Sequence, residues 1–267
     1  MLHTTLAQNG HRWIAIDKVD EEAINFLRRD FRFHNLDLED VRGESQHPKL
    51  DIYKHYFFLI IQFPEIDPAS KRIRANELDI FVEKNNIVTV PNREVPYLPA
   101  LLARLQKNPN LREEWFRHGT DFFCYRLLKG LFIESCKPFF DTYAIRLNEI
   151  DRQLLGPEAK RTLLELINIR RDVLDLKRII DPQRYMTQEL SKIKTDFVTE
   201  EMGPYFDDLR DLLDRYWSLI NNYKEIVESF LETNESLRSI RTTNIIKTLT
   251  VISVAFLPLT LDRKSVV

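Results

Sequence analysis

The sequence predicts an α+β protein. An N-terminal α/β layer domain with a mixed sheet comes first, followed by long antiparallel helices and then by one very long stalk helix entering a membrane. Three observations predict this. Strand and helix signals alternate over residues 1–97, only helix signals remain beyond residue 97, and residues 205–257 hold neither proline nor glycine.

In chain order, Arg12 to Asp17 reads as a strand. Glu21 to Phe31 has apolar residues at 23, 24, 27 and 31, a helical spacing, with Asp20 as candidate N-cap. Tyr56 to Phe63 is an apolar run dominated by β-formers, which predicts a central strand covered on both faces. Leu78 to Val82 and Ile87 to Val90 are two further strands, joined by the hairpin connection Glu83-Lys84-Asn85-Asn86. Helices follow at Leu98 to Leu105, Asp121 to about Leu155, and Leu163 to about Ile193. Gly156-Pro157 punctuates the second of these. Pro182 would kink the third unless tertiary contacts hold it continuous. Gly203-Pro204 opens the last helix, with proline in its first turn.

That last helix would span roughly 80 Å. Its apolar positions are Leu209, Leu213, Tyr216, Ile220, Tyr223, Val227, Phe230 and Leu237, with Asn234 filling the one gap. Steps alternating between four and three mean packing against neighbouring long helices. An intramolecular bundle and an oligomeric stalk both satisfy that pattern.

Composition narrows the function. The chain of 267 residues is 43% hydrophobic and 30% charged, ordinary for a folded helix-rich protein, and its net charge of −2 provides no basic field for nucleic acid. The six glycines form no GxGxxG or P-loop. The two cysteines, Cys124 and Cys136, make neither a disulfide framework nor a metal knuckle. The six histidines show no HxxxH or HExxH spacing, which weighs against a zinc site. No motif nominates a nucleophile–base pair or carboxylate dyad, so no enzyme and no small-molecule substrate are expected. The N-terminus has no signal-peptide pattern, and the body of the chain is expected in the cytosol.

Residues 248–261 are uncharged but shorter than the roughly 20 residues that a span needs. Arg238, Arg241 and Lys247 precede them, a cationic collar that marks the cytosolic side of a membrane. Asp262 to Val267, DRKSVV, is what GATCGGAAGAGCGTCGTG encodes, a string resembling sequencing-adapter read-through. The charged tail is therefore expected to be non-native, and the apolar segment to be half a span.

Several segments, in order along the chain, carry a family resemblance. Lys247-Thr248-Leu249-Thr250 followed by Phe256-Leu257-Pro258-Leu259-Thr260 resembles the first transmembrane helix of the CorA-type divalent-cation transporters. Leu36-Asp37-Leu38-Glu39-Asp40-Val41 and His47-Pro48-Lys49-Leu50-Asp51-Ile52-Tyr53 resemble two segments of that family's cytosolic domain, and Pro204-Tyr205-Phe206 with Asp208 resembles the start of its stalk. The family's Gly-Met-Asn signature and second span are absent from this sequence, so transport is expected of a longer parent. The resemblance implies residues 1–97 as the α/β core, 98–203 as helices packed on the stalk, 204–247 as the stalk and 248–261 as a truncated first transmembrane helix. It also implies a homopentamer around one pore, in the cell (inner) membrane, with residues 1–247 on the cytoplasmic side.

By position, the family's pore stripe maps to Glu232, Glu235, Ser239, Thr243, Ile246, Leu249, Ser253, Leu257 and Thr260. Glutamates would ring the cytosolic mouth, hydroxyls would bond a hydrated ion, and the aliphatic residues would gate by dewetting. The family's regulatory Mg2+ sites, between subunits, map to Asp67 and Asp208, with Glu65 and Asp207 next in line. The implied ion is Mg2+, with Co2+ or Ni2+ as further cargo. A zinc-transporting member of the same family is the alternative, and a soluble helical oligomeric scaffold is the alternative of another class.

Overall fold

A computed structural model describes residues 3–43, 47–153, 159–195, 197–198 and 200–262. The chain opens with a hairpin of β1 (His3–Gln8) and β2 (His11–Ile16). Its turn is Asn9-Gly10, both in the left-handed region at φ 53° and 82°, the conformation a two-residue hairpin turn requires. The Asn-Gly pair is a hairpin signal that the strand reading left unused, and β1 was missed with it.

Asp20 caps α1 (Glu21–Phe26) as expected, accepting a hydrogen bond from the Ala23 N–H at 2.9 Å. The helical stretch continues to Phe31 as a π-helical turn and ends at Arg32, where φ is 57°. Then come α2 (Asn35–Arg42), β3 (Lys49–Ile52), β4 (Tyr56–Ile66), β5 (Ile73–Glu83) and β6 (Asn86–Pro91). Helix α2 escaped the sequence reading because its cap is His34, whose imidazole accepts from the Leu36 N–H at 3.2 Å, and histidine is not a favoured N-cap.

The six strands form one sheet in the order β1-β2-β6-β5-β4-β3. The β2–β6 pairing is parallel and the rest antiparallel, so the sheet is mixed. Strand β4 is buried on both faces as predicted, but it lies one strand in from the edge rather than at the centre. Side chains alternate between two cores, as the two-residue period of a strand demands. Ile14, Phe58, Ile60, Phe81 and Val88 face α1 and α2. Trp13, Phe57, Leu59, Ile80 and Val82 face the helical side.

That side holds α3 (Tyr97–Lys107), α4 (Pro109–Trp115), α5 (Thr120–Gln153), α6 (Ala159–Leu190) and α7 (Gly203–Asp262). Helix α6 runs unbroken through Pro182, where its neighbour Gln183 is anchored to the Gln62 carbonyl of β4 at 2.9 Å. Helix α7, 60 residues long, packs its root against α5 and α6. Tyr216 stacks on Phe140 of α5 at 4.9 Å, and the Tyr223 hydroxyl donates to the Phe140 carbonyl. Arg184 of α6 pairs with Asp214 at 2.5 Å and lies over the Trp217 ring.

The alternating three-and-four seam is therefore an intramolecular one. Leu209, Leu213, Tyr216, Ile220, Tyr223 and Val227 are all buried. Cover ends at Asn234 and Leu237, and residues 238–254 are all exposed. Among the described residues no helix is long and apolar enough to cross a membrane.

Candidate ion-pathway helix and regulatory carboxylates

The two resemblance segments of the α/β layer meet each other. Asp37 on α2 is fully buried and accepts from the Tyr53 hydroxyl at 2.8 Å and the Tyr56 hydroxyl at 2.6 Å. Burial pushes its pKa up, and the two hydroxyl donors oppose that. Lys49 on β3 donates to Asp40 and Asp51, each at 2.6 Å. Asp37, Asp40 and Asp51 are the one group of three close candidate metal ligands among the described residues. An ammonium already lies between two of them and tyrosines bond the third, so the group clasps α2 to β3.

The carboxylates expected to bind Mg2+ form two separate pairs within one chain. At the end of β4, Glu65 accepts from the Arg74 Nε at 2.6 Å and from the Asn76 amide at 2.8 Å. Asp67 organises the turn that follows. It accepts from the Ala69 and Ser70 N–H groups and from the Ser70 hydroxyl, and the Arg74 guanidinium lies 3.4 Å away. Those donors, the Ser70 hydroxyl foremost, hold the Asp67 carboxyl below the usual carboxylate range.

On the first turns of α7, Asp207 pairs with Arg210 at 3.1 Å. Asp208 Oδ2 accepts from the Tyr125 hydroxyl at 2.7 Å and from the Lys129 ammonium at 2.8 Å, both on α5. Lys129 is the main reason the Asp208 carboxyl lies below its ordinary range. No group of three or more ligand side chains within one chain includes any of these four, among the described residues. The carboxylates of each pair are neutralised by cations of the same chain: Arg74 for Glu65 and Asp67, Arg210 for Asp207 and Lys129 for Asp208. The partnership of Lys129 with Asp208 was not legible in the sequence, because the two lie 79 positions apart and no spacing rule joins them.

The expected pore stripe runs along the uncovered part of α7. Glu232, Glu235, Ser239, Thr243, Ile246, Leu249 and Ser253 are all exposed, Ile246 at 58% and Leu249 at 62%. The side chains of Leu257 and Thr260 lie outside the described residues, as does the tail beyond Asp262. Glu235 follows the seam residue Asn234, and the stripe lies roughly 100° round the helix from the seam. One helix can therefore pack on its own domain and still present this stripe elsewhere.

A sheet domain clasping a helix that outruns it defines a class, an α+β protein with one long protruding helix. The family profile described as CorA-like Mg2+ transporter protein matches residues 8–261, and the chain belongs to that family, one of ion transporters and not of enzymes. Among curated relatives, the putative metal ion transporter YfjQ of Bacillus subtilis is 27% identical over 93% of this chain and 75% of its own length. The cobalt/magnesium transport protein CorA of Thermotoga maritima is 22% identical over 93% of this chain and 70% of its own. The complete CorA magnesium transporter of Methanocaldococcus jannaschii superposes with a TM-score of 0.81 at 16% identity, covering 98% of this chain and 81% of that one. The ZntB cytoplasmic domain of Vibrio parahaemolyticus superposes with a TM-score of 0.68 at 16% identity, over 86% and 88% of the two chains.

Proposed function

We propose that this chain is the cytosolic Mg2+-sensing and gating part of a homopentameric CorA-like channel in the cell (inner) membrane, carrying Mg2+ and also Co2+ or Ni2+. The observation that carries this reading is the change of environment along α7. Its seam is buried to Asn234, and beyond Arg238 it exposes Ile240, Ile245, Ile246, Leu249, Val251 and Ile252. Such a stripe needs cover, and four further copies of α7 together with a bilayer supply it. In that assembly residues 1–247 stand on the cytoplasmic side and residues 248–261 begin the first span.

The stripe then performs the chemistry of a cation pathway. Glu232 and Glu235 form acidic rings at the mouth, Ser239, Thr243, Ser253 and Thr260 face a hydrated ion, and Ile246, Leu249 and Leu257 narrow the path with apolar rings. Hydroxyls suit Mg2+ because that ion gives up its waters reluctantly. Asp67 and Glu65 of one copy and Asp208 and Asp207 of the next hold a regulatory Mg2+ that clamps neighbours and keeps the path shut. The donor set fits: these are hard carboxylates, and the Asp208 side chain is 44% exposed. Loss of Mg2+ leaves like charges facing each other and shifts the ring toward open states.

The 267-residue chain in detergent is expected to show the mass of five copies by native mass spectrometry. Millimolar Mg2+ is expected to slow its proteolysis, with Asp208→Asn losing that saturable protection, as befits the loss of a charged ligand. A monomer indifferent to Mg2+ would defeat the proposal. A zinc-carrying reading draws on the likeness to the ZntB domain. Ion-flux competition between Zn2+ and Mg2+ in the parent transporter separates the two.

A further inference from the structure

We infer that Lys129 is a tethered competitor for Mg2+ at Asp208, and that its release sets the Mg2+ concentration at which the site fills. The inference rests on reading Asp208 as a Mg2+ ligand.

Lys129 lies on α5, one turn beyond Tyr125, and both reach across to α7. The ammonium lies 2.8 Å from Asp208 Oδ2 and 3.1 Å from the Tyr125 hydroxyl, which itself donates to the same Oδ2 at 2.7 Å. Asp208 Oδ1 accepts no hydrogen bond among the described residues, and the side chains of Asp208 and Lys129 are 44% and 35% exposed. The carboxylate is thus bonded through one oxygen and open at the other.

Three features separate this ion pair from a plain structural one. The joint between α5 and α7 does not depend on it, because Phe140, Tyr216 and Tyr223 already dock the two helices further along. The cation is a lysine, a point charge on a flexible stem that forms no fixed fork. The ammonium also already lies 5.5 Å from the Tyr125 ring centroid, an aromatic contact that it can keep once Asp208 is taken. The other pair contrasts with this. Arg74 bonds Glu65 and Asp67 together, and Asp67 is further tied by the backbone of its own turn.

A divalent ion arriving at Asp208 repels the neighbouring ammonium, so the two cations exclude each other from one carboxylate. Tyr125 does not have to leave, because its hydroxyl bonds the carboxylate without adding charge. A half-exposed ion pair of this kind is closed roughly 60–85% of the time. Apparent Mg2+ affinity is reduced by the open fraction, so removing the competitor tightens binding about two- to sixfold.

The test uses the full chain in detergent and reads the Mg2+ concentration giving half-maximal thermal stabilisation. Lys129→Met keeps the apolar stem and removes the charge, and it is expected to lower that midpoint about two- to sixfold. Lys129→Arg keeps the charge and should stay near the parent value, while Asp208→Asn should lose the saturable response in either background. If Asp208→Asn loses the response but Lys129→Met leaves the midpoint in place, Lys129 is only a structural partner, and the inference fails while the site stands. If Asp208→Asn responds like the parent, the site reading falls and the inference with it.

Discussion

Asp79 on β5 keeps 1% of its surface exposed, and neither carboxylate oxygen has a hydrogen-bond partner among the described residues. Burial first, then the charges of Glu77 and Asp40, push its pKa well above the ordinary value. The sign follows from proton binding. Between the unfolded pKa, about 3.9, and the raised folded value, the native state holds more protons than the unfolded chain. The contribution of Asp79 is fully present below the unfolded pKa and is lost as pH rises through the folded one. Asp79→Asn removes its share of that loss and is expected to stabilise the protein at pH 7 by about 1 kcal/mol, with little change at pH 4. Urea unfolding at both pH values reads this, and an unchanged pH dependence in the variant would contradict it. Asp208 has the opposite sign: its lowered pKa contributes stability above the unfolded value that is lost as pH falls.

At the scale of the element, α7 carries two faces with different duties. Ile220 is fully buried in the seam against α5 and α6, whereas Ile246 is 58% exposed on the expected pore stripe. Ile220→Ala opens a cavity in the bundle and is expected to cost about 2–5 kcal/mol of domain stability. Ile246→Ala removes a mostly exposed side chain and is expected to cost under about 0.5 kcal/mol, its effect appearing in ion flux. Comparable losses of stability in both variants would show that the stripe packs within its own chain and faces no pore.

For the whole molecule, the end of burial near residue 237 marks where one chain stops being self-sufficient. A chain ending at Leu237 keeps the sheet, both cores and the buried seam, so its melting temperature is expected to stay within about 3 °C of the parent. It loses the exposed Ile240 to Phe256 surface, and is expected to lose with it the detergent binding and five-copy mass proposed for the longer chain. Light scattering with and without detergent measures both. If the shortened chain still forms the pentamer, the assembly rests on the sheet domain or the root of α7 and not on the exposed stripe.

Much of this was legible in the sequence because it depends on local pattern. The alternation ending near residue 97, the Asp20 cap, the β5–β6 hairpin and the 3.5-residue seam follow from periodicity and side-chain chemistry that neighbouring residues impose. The family, too, could be read from segments such as Leu36 to Val41 and Lys247 to Thr250. The purpose of those segments could not. Only the fold shows that Asp37 and Asp40 meet Tyr53, Tyr56 and Lys49 in a clasp. The heptad could not say which partner fills the seam, because α5, α6 and a second copy present the same kind of apolar surface to a period. Lys129 and Asp208 lie on different helices, and their meeting depends on how α5 and α7 cross, a long-range geometry that no local spacing encodes. The sequence by itself determined the long helices, the inner strands, the seam and the family, though not β1 or α2; the tertiary structure decided which charges face each other, because electrostatic contacts depend on distance in space and not along the chain.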